Sequence, residues 1–347
     1  MKSKVFHLSH IDLDGYGCQY LTSHAFETIN FYNANYGPEV NARLKEIISD
    51  IKNEDDDIDA IILITDLNLS MKEANWIEKE ANELGATLVL LDHHITGQNC
   101  ADRFEWYHLD IARCGTLLTY DWLKKNYAFD GVGEFQALVD AINDVDMWHS
   151  SNGLFEYGKV MMSMISSAKE INRTMFQKDD IAYKHFLIES AKKLQGGQDA
   201  HIKLDDAVHA LKKEFFMGDV NDTKDNLIAS YISSLLSQNK DRFTISYKGY
   251  KGLLGYNVGN SSIIGNTFLV NNPEFDFYMD INFRGVFSLR GHDRLDLSIM
   301  AALIGSGGGH KNASGGKIEE YRDSFVYEEV KDFVQKYIND KVFVSKP

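Results

Sequence analysis

Three apolar runs in the first hundred residues each close on aspartate or histidine: "KVFHLSH" (4–10), "DAIILITD" (59–66) and "ATLVLLDHH" (86–94). Short runs rich in Val, Ile and Leu, polar only where they close, read as strands buried on both faces. Helical patterns lie between them. "GYGCQYLTSHAF" (15–26) is one, and "SMKEANWIEKEANELG" (70–85) is another, with Ser70 placed as an N-cap and Gly85 as a stop. Strand–helix alternation predicts a parallel sheet with helices on both faces. A later helix is expected in "GEFQALVDAINDVDMW" (133–148), with Val139 and Ile142 on one face.

The 347 residues exceed one ordinary core, so two domains are the natural expectation. Residues 166–235 are charged and helical in pattern, without a clear strand, and read as a solvated helical connector. From about residue 240 strand patterns return: "RFTISYKG", "KGLLGYNV", "FDFYMDINF" and "GVFSLRG", with helix-like "SSIIGNTFLV" and "LDLSIMAALIG" among them. This is a second, smaller α/β domain that carries the glycine-rich "GSGGGHKNASGG" (305–316). The expected division is 1–165, 166–235 and 236–347.

Composition narrows the function. Hydrophobic residues make up 44% and charged residues 25%, as in an ordinary soluble globular protein, and no apolar run approaches a membrane span. The N-terminus reaches His10 and Asp12 before a signal-type apolar stretch can form, and Cys18, Cys100 and Cys114 make no CxxC pair. A cytoplasmic protein without a membrane partner is expected. The net charge of −15 argues against long duplex nucleic acid, which needs many Lys and Arg contacts to phosphate. It leaves room for short anionic substrates, because metal ions can supply the positive charge.

The strand ends carry the chemistry. "SHIDLDG" (9–15) sets His10, Asp12 and Asp14 at i, i+2 and i+4, a spacing that points all three to one side of an extended chain. Asp66 closes the second run, and Asp92, His93 and His94 close the third. In open parallel sheets the carboxyl ends of the strands form the ligand crevice, so three strand ends deliver Asp and His to one edge. Mixed imidazole and carboxylate ligands suit a borderline-hard divalent ion, Mn²⁺ first, with Mg²⁺ or Co²⁺ as substitutes. More ligands are present than one ion needs. A pair of ions bridged by a shared carboxylate accounts for the surplus.

"SHIDLDG", "ITD", "LLDHH" and "GGGHKNASGG", in that order, resemble the DHH phosphoesterase superfamily and its C-terminal DHH-associated domain. The resemblance is nearest to the branch of nano-RNases and phosphoadenosine-phosphate phosphatases. It implies one Mn²⁺ held by His10, Asp12 and Asp66, and a second held by Asp14, Asp66, His93 and a fourth-motif aspartate. Asp66 would bridge the ions. Asp92 would orient a neighbouring histidine, and His94 would face the substrate phosphate. For the fourth motif, "INDVDMWH" offers Asp144 and Asp146, with Asp144 favoured and the helical Asp140 weaker. In the second domain the resemblance implies that Arg290, Gly308, Gly309 and His310 hold the substrate, with Arg284 a lesser candidate than Arg290. The glycine-rich segment is neither a P-loop nor a dinucleotide fingerprint, and a flexible turn is its plainest reading.

The expected activity is hydrolysis of a short single-stranded oligonucleotide, from its 5′ end, or of a small nucleotide such as phosphoadenosine phosphate, with the second domain closing over the metals. A pyrophosphatase is the rival within the class, but HxDxD departs from that family's HxxxDxD. A non-catalytic metal or nucleotide sensor is the rival outside it.

Overall fold

The computed structural model describes residues 2–54, 58–127, 129 and 132–344. The chain forms two compact units. One comprises residues 1–168 with 181–211, the other 169–180 with 212–347. Residues 166–235 are therefore shared out between both units. They form helices, including Gln177–Leu194 and Ala200–Met217, and Ile181, Tyr183, Leu187, Ile188 and Leu204 are buried. The stretch is less solvated than its charge suggests, because each helix puts its apolar side inward and its charges outward.

Among the described residues the first unit has one sheet, of β1 (Lys2–Ser9), β2 (Ile29–Asn33), β3 (Ile58–Thr65), β4 (Thr87–Asp92) and β5 (Tyr107–Leu109). All are parallel, in the order β2-β1-β3-β4-β5. Both faces are buried, and alternate residues of a strand serve opposite cores. Phe6, Leu8, Ile62 and Ile64 pack with Leu44, Ile47, Ala74 and Ile77 of two helices, Pro38–Lys52 and Met71–Leu84. Val5, Ile61, Leu63 and Leu91 pack with Leu118 of the helix Gly115–Asn126. The expected caps are present: Ser70 and Glu73 form a reciprocal capping box, and Gly85 ends the helix at φ 65°, the left-handed region that favours glycine. The chain leaves β1 for β2 on one side and continues through β3 to β5 on the other. That puts the topological switch between the carboxyl ends of β1 and β3.

In the second unit a mixed sheet runs in the order β10-β11-β9-β8-β7-β6. Its strands are β6 (Thr244–Tyr247), β7 (Tyr250–Tyr256), β8 (Phe277–Ile281), β9 (Val286–Gly291), β10 (Gly308–His310) and β11 (Ala313–Lys317). The glycine-rich segment is not a flexible turn but an antiparallel hairpin, with Gly308 opposite Gly315 and His310 opposite Ala313. Glycine is needed there by close backbone approach, since a Cβ on Gly307 would lie 2.4 Å from the Gly315 carbonyl oxygen. No helix among the described residues is long and apolar enough to cross a membrane.

Candidate metal centre

Beyond Ser9 the chain does not stay extended, so the i, i+2, i+4 argument gives way to another geometry. Asp12 is the N-cap of the helix Leu13–Ala25, and its Oδ1 accepts from Gly15 N at 3.0 Å. Its Oδ2 meets His10 Nδ1 at 2.8 Å. Asp14, in the first helical turn, is 1% exposed. Its carboxylate accepts from two backbone amides at the start of the helix Gly115–Asn126, Gly115 N at 2.6 Å and Thr116 N at 2.7 Å. A helix N-terminus is a natural seat for a carboxylate. Only glycine fits at 115, because a Cβ would stand 2.9 Å from both Asp14 Oδ2 and Asp66 Cβ.

Asp66 follows β3 with φ 54°, a conformation uncommon for a residue with a side chain, and is buried. His93 faces three carboxylates: its Nε2 lies 3.2 Å from Asp66 Oδ1, 3.6 Å from Asp146 Oδ2 and 3.8 Å from Asp14 Oδ2. His10 Nδ1 is 3.6 Å from Asp66 Oδ2. Three sets of donor atoms each fall within 4.8 Å of one another: His10, Asp12 and Asp66; Asp14, His93 and Asp146; and Asp66, His93 and His94. Asp66 belongs to two of them.

Asp92 is fully buried and works as a bracket. Its Oδ1 accepts from His93 N at 2.8 Å and from the His94 ring at 2.7 Å, while Oδ2 accepts from the Tyr107 hydroxyl at 2.6 Å. Because His94 Nδ1 donates to a carboxylate, the neutral ring leaves Nε2 as an acceptor, and the Tyr36 hydroxyl sits 2.8 Å from it. The Tyr36 ring also lies against His10, centroid to centroid 4.6 Å and tilted by 44°.

The carboxylates repel one another. Burial, then Asp14 and Asp12, push the Asp66 carboxyl well above its usual range. Burial, then Asp14 and Asp66, push Asp146 up to about 8. Burial opposes charge on His10, but Asp12 and Asp66 outweigh it and raise that ring to about 10. Asp66 Oδ2 is buried without a hydrogen-bond partner. A divalent cation would remove the repulsion and satisfy that oxygen, so the residues present fit a metal.

The fourth aspartate is where geometry departs from the expected choice. Asp144 is buried and accepts from Asn152 Nδ2 at 2.7 Å, and it belongs to none of the three sets. Asp146, the last residue of the helix Val132–Asp146, is the one beside His93. Two residues apart on a helix point roughly 200° apart, so one turn cannot present both. Asp140 is occupied elsewhere, by Gln136 at 2.8 Å. The signal was available: Asp146 lies four residues after Ile142 and seven after Val139, on their side of the helix, although as its last residue it stays exposed. Tyr36 and the amides of Gly115 and Thr116 had no such signal, since neither a tyrosine after a strand nor a glycine opening a helix is distinctive.

In the second unit the expected substrate residues share one region. Arg290 on β9 pairs with Ala313 on β11, which pairs with His310 on β10. Arg290 donates to Leu289 O at 2.7 Å and to the Ser262 hydroxyl. Gly308, Gly309 and His310 are exposed, and Gly309 has φ 141°. Lys311 pairs with Asp293 at 3.3 Å. Arg284 sits in the turn between β8 and β9, away from this row.

No family model matches the chain. It is 40% identical over 346 residues to a 3′,5′-cyclic-nucleotide phosphodiesterase of Helicobacter pylori, covering 97% of this chain and 99% of that one. It is 26% identical over 345 residues to the oligoribonuclease NrnB of Bacillus subtilis, covering 93% of this chain and 76% of the other. A crystal structure of an uncharacterized protein from Helicobacter pylori G27 matches with a TM-score of 0.92 at 40% identity, over 97% of this chain and 99% of that one.

Proposed function

Because the chain belongs to the DHH phosphoesterase superfamily and is a phosphodiesterase of it, we propose that it hydrolyses single or short nucleotides with two divalent cations. The observation that carries this is Asp66: a buried carboxylate that falls in one donor set with His10 and Asp12 and in another with His93, which itself joins Asp14 and Asp146, and one of its oxygens has no hydrogen-bond partner. His10, Asp12 and Asp66 would hold one cation. Asp14, Asp66, His93 and Asp146 would hold the other. The sequence reading favours Mn²⁺. Such a pair, when bound, polarises phosphate oxygens and lowers the barrier to in-line attack at phosphorus.

The chain's own groups supply the orientation. Asp14 is immobilised by the Gly115 and Thr116 amides, and Asp92 fixes the His94 ring. With Nδ1 held by Asp92, Nε2 is the His94 atom left to meet a phosphate oxygen of the substrate. Placing these groups beforehand avoids reorganisation during reaction. Arg290, Gly308, Gly309 and His310 form the candidate substrate row of the second unit. A guanidinium fork and exposed backbone amides suit a second phosphate or a nucleotide end. The division into 1–165, 166–235 and 236–347 is kept as a proposal for folding domains, which limited proteolysis can test.

The function is tested with a substrate panel and Mn²⁺: two- to five-nucleotide RNA, phosphoadenosine phosphate, 3′,5′-cyclic nucleotides, pyrophosphate and long RNA. Turnover of the short nucleotides, lost on chelation, is expected. Hydrolysis of pyrophosphate alone, or turnover indifferent to chelation, would reject the proposal.

A further inference from the structure

Beside the metal centre, the first unit has a pocket of about 390 Å³, lined by the segments that follow β2, β3 and β4. That volume is within the range of small-molecule sites, roughly 300–1,000 Å³. Tyr36 belongs to both places. It lines the pocket, and its hydroxyl meets His94 at 2.8 Å. The pocket is therefore adjacent to the atoms expected to face the scissile phosphate.

The lining limits the occupant. Leu69 and Cys100 are buried and form apolar wall, and Met71 adds to it. The side-chain amides of Asn68 and Asn99 make no hydrogen bond among the described residues, although each carries a carbonyl acceptor and two donors. No Lys or Arg lines the pocket. Its one carboxylate, Glu73, is committed to the Ser70 amide at 2.8 Å and the Ser70 hydroxyl at 2.6 Å. A phosphate would find no cation here, and apart from the Glu73 carboxylate, held at one oxygen by Ser70, the lining is neutral. A neutral, planar group with mixed donors and acceptors on its edge fits, and an aromatic ring at the rim suits stacking on its face.

We propose that this pocket is a nucleobase subsite, with Asn68 and Asn99 reading the edge of the base and Tyr36 joining base recognition to the phosphate position. The proposal rests on the nucleotide phosphodiesterase reading given above. It assigns base selectivity to the first unit, independently of the Arg290 and His310 row.

The test uses Asn99→Asp, which replaces a donor by an acceptor at an exposed position. Dissociation constants of the four nucleoside 5′-monophosphates are measured by calorimetry with Mg²⁺, and kcat/KM on the four corresponding 3′,5′-cyclic nucleotides with Mn²⁺. The wild-type protein should separate the bases by about tenfold, the discrimination that a paired edge contact supplies. Asn99→Asp should reorder the four bases in both measurements. A variant that weakens all four by one factor, or keeps the wild-type order, overturns the subsite. If base-ordered binding is present but no nucleotide is hydrolysed, the phosphodiesterase reading fails while the subsite stands. If nucleotides are hydrolysed without any base order, the reverse holds.

Discussion

The two candidate sites of this chain differ in how they are held. In the first unit the acidic cluster sits at the carboxyl ends of parallel strands, and nearly every member is anchored by another group. Asp14 accepts two backbone amides, and Asp92 binds two amides and two side chains. In the second unit Gly308, Gly309 and His310 form an exposed edge strand, and the His310 ring has no hydrogen-bond partner among the described residues. Rigid, desolvated groups suit chemistry, where small misplacements are costly. An exposed strand with a half-exposed arginine suits capture of a flexible ligand, where contacts form on binding. The difference teaches that a missing side chain should act on different kinetic quantities in the two regions.

The largest effect is expected at Asp66. Asp66→Ala should reduce kcat by about a thousandfold or more, since it removes the carboxylate common to two donor sets. Near-normal turnover by this variant would dissolve the contrast at once. Next is the pair of aspartates at the end of the helix Val132–Asp146. Asp146→Asn should cut activity by about a hundredfold. Asp144→Asn should act weakly, because the amide oxygen can still accept from Asn152, and should change stability by about 1 kcal/mol or less. The opposite ranking, in a metal-saturated assay with denaturation curves, would return the ligand role to Asp144.

Arg290→Ala and His310→Ala sharpen the comparison from the other side. They should lower kcat/KM for nucleotides by about tenfold, mostly through KM, and leave the metal affinity of the first unit unchanged. Equal losses on bis-p-nitrophenyl phosphate, which lacks a base and sugar, would mean that the row does not hold the substrate. The smallest effect concerns pH. Burial and then the neighbouring Asp14 and Asp66 raise Asp146 from 3.8 to about 8. The folded, metal-free protein thus keeps a proton that the unfolded chain has released, and stability falls as pH rises between those values. Without divalent cations, Tm should be a few degrees lower at pH 8.5 than at pH 6. Added Mn²⁺ should raise Tm more at the higher pH, because cation and proton compete for the same oxygens. A metal-free Tm that rises over this interval would contradict the charge crowding at Asp146.

Much of the first unit was legible because its strands are buried on both faces and end abruptly on Asp and His. The strand-end places of Asp66, Asp92 and His93 follow directly from that pattern. Other features were hidden for definable reasons. Asp144 and Asp146 differ only in helix phase, and a spacing of four and seven residues from Ile142 and Val139 is a faint cue between two neighbouring aspartates. The β10–β11 hairpin has none of the branched or aromatic residues that usually mark strands. Its glycines serve backbone approach instead of side-chain packing. Tyr36 gains its place from tertiary contacts with His10 and His94, and no spacing in the sequence carries that information.

The central claim is that one buried carboxylate joins two cation sites. Crystals grown with Mn²⁺, measured at the manganese absorption edge, address it directly. The account predicts two anomalous peaks about 3.5–4 Å apart, both within bonding distance of Asp66, with Asp146 and not Asp144 on the second. A single peak, or two peaks that do not share Asp66, would contradict it.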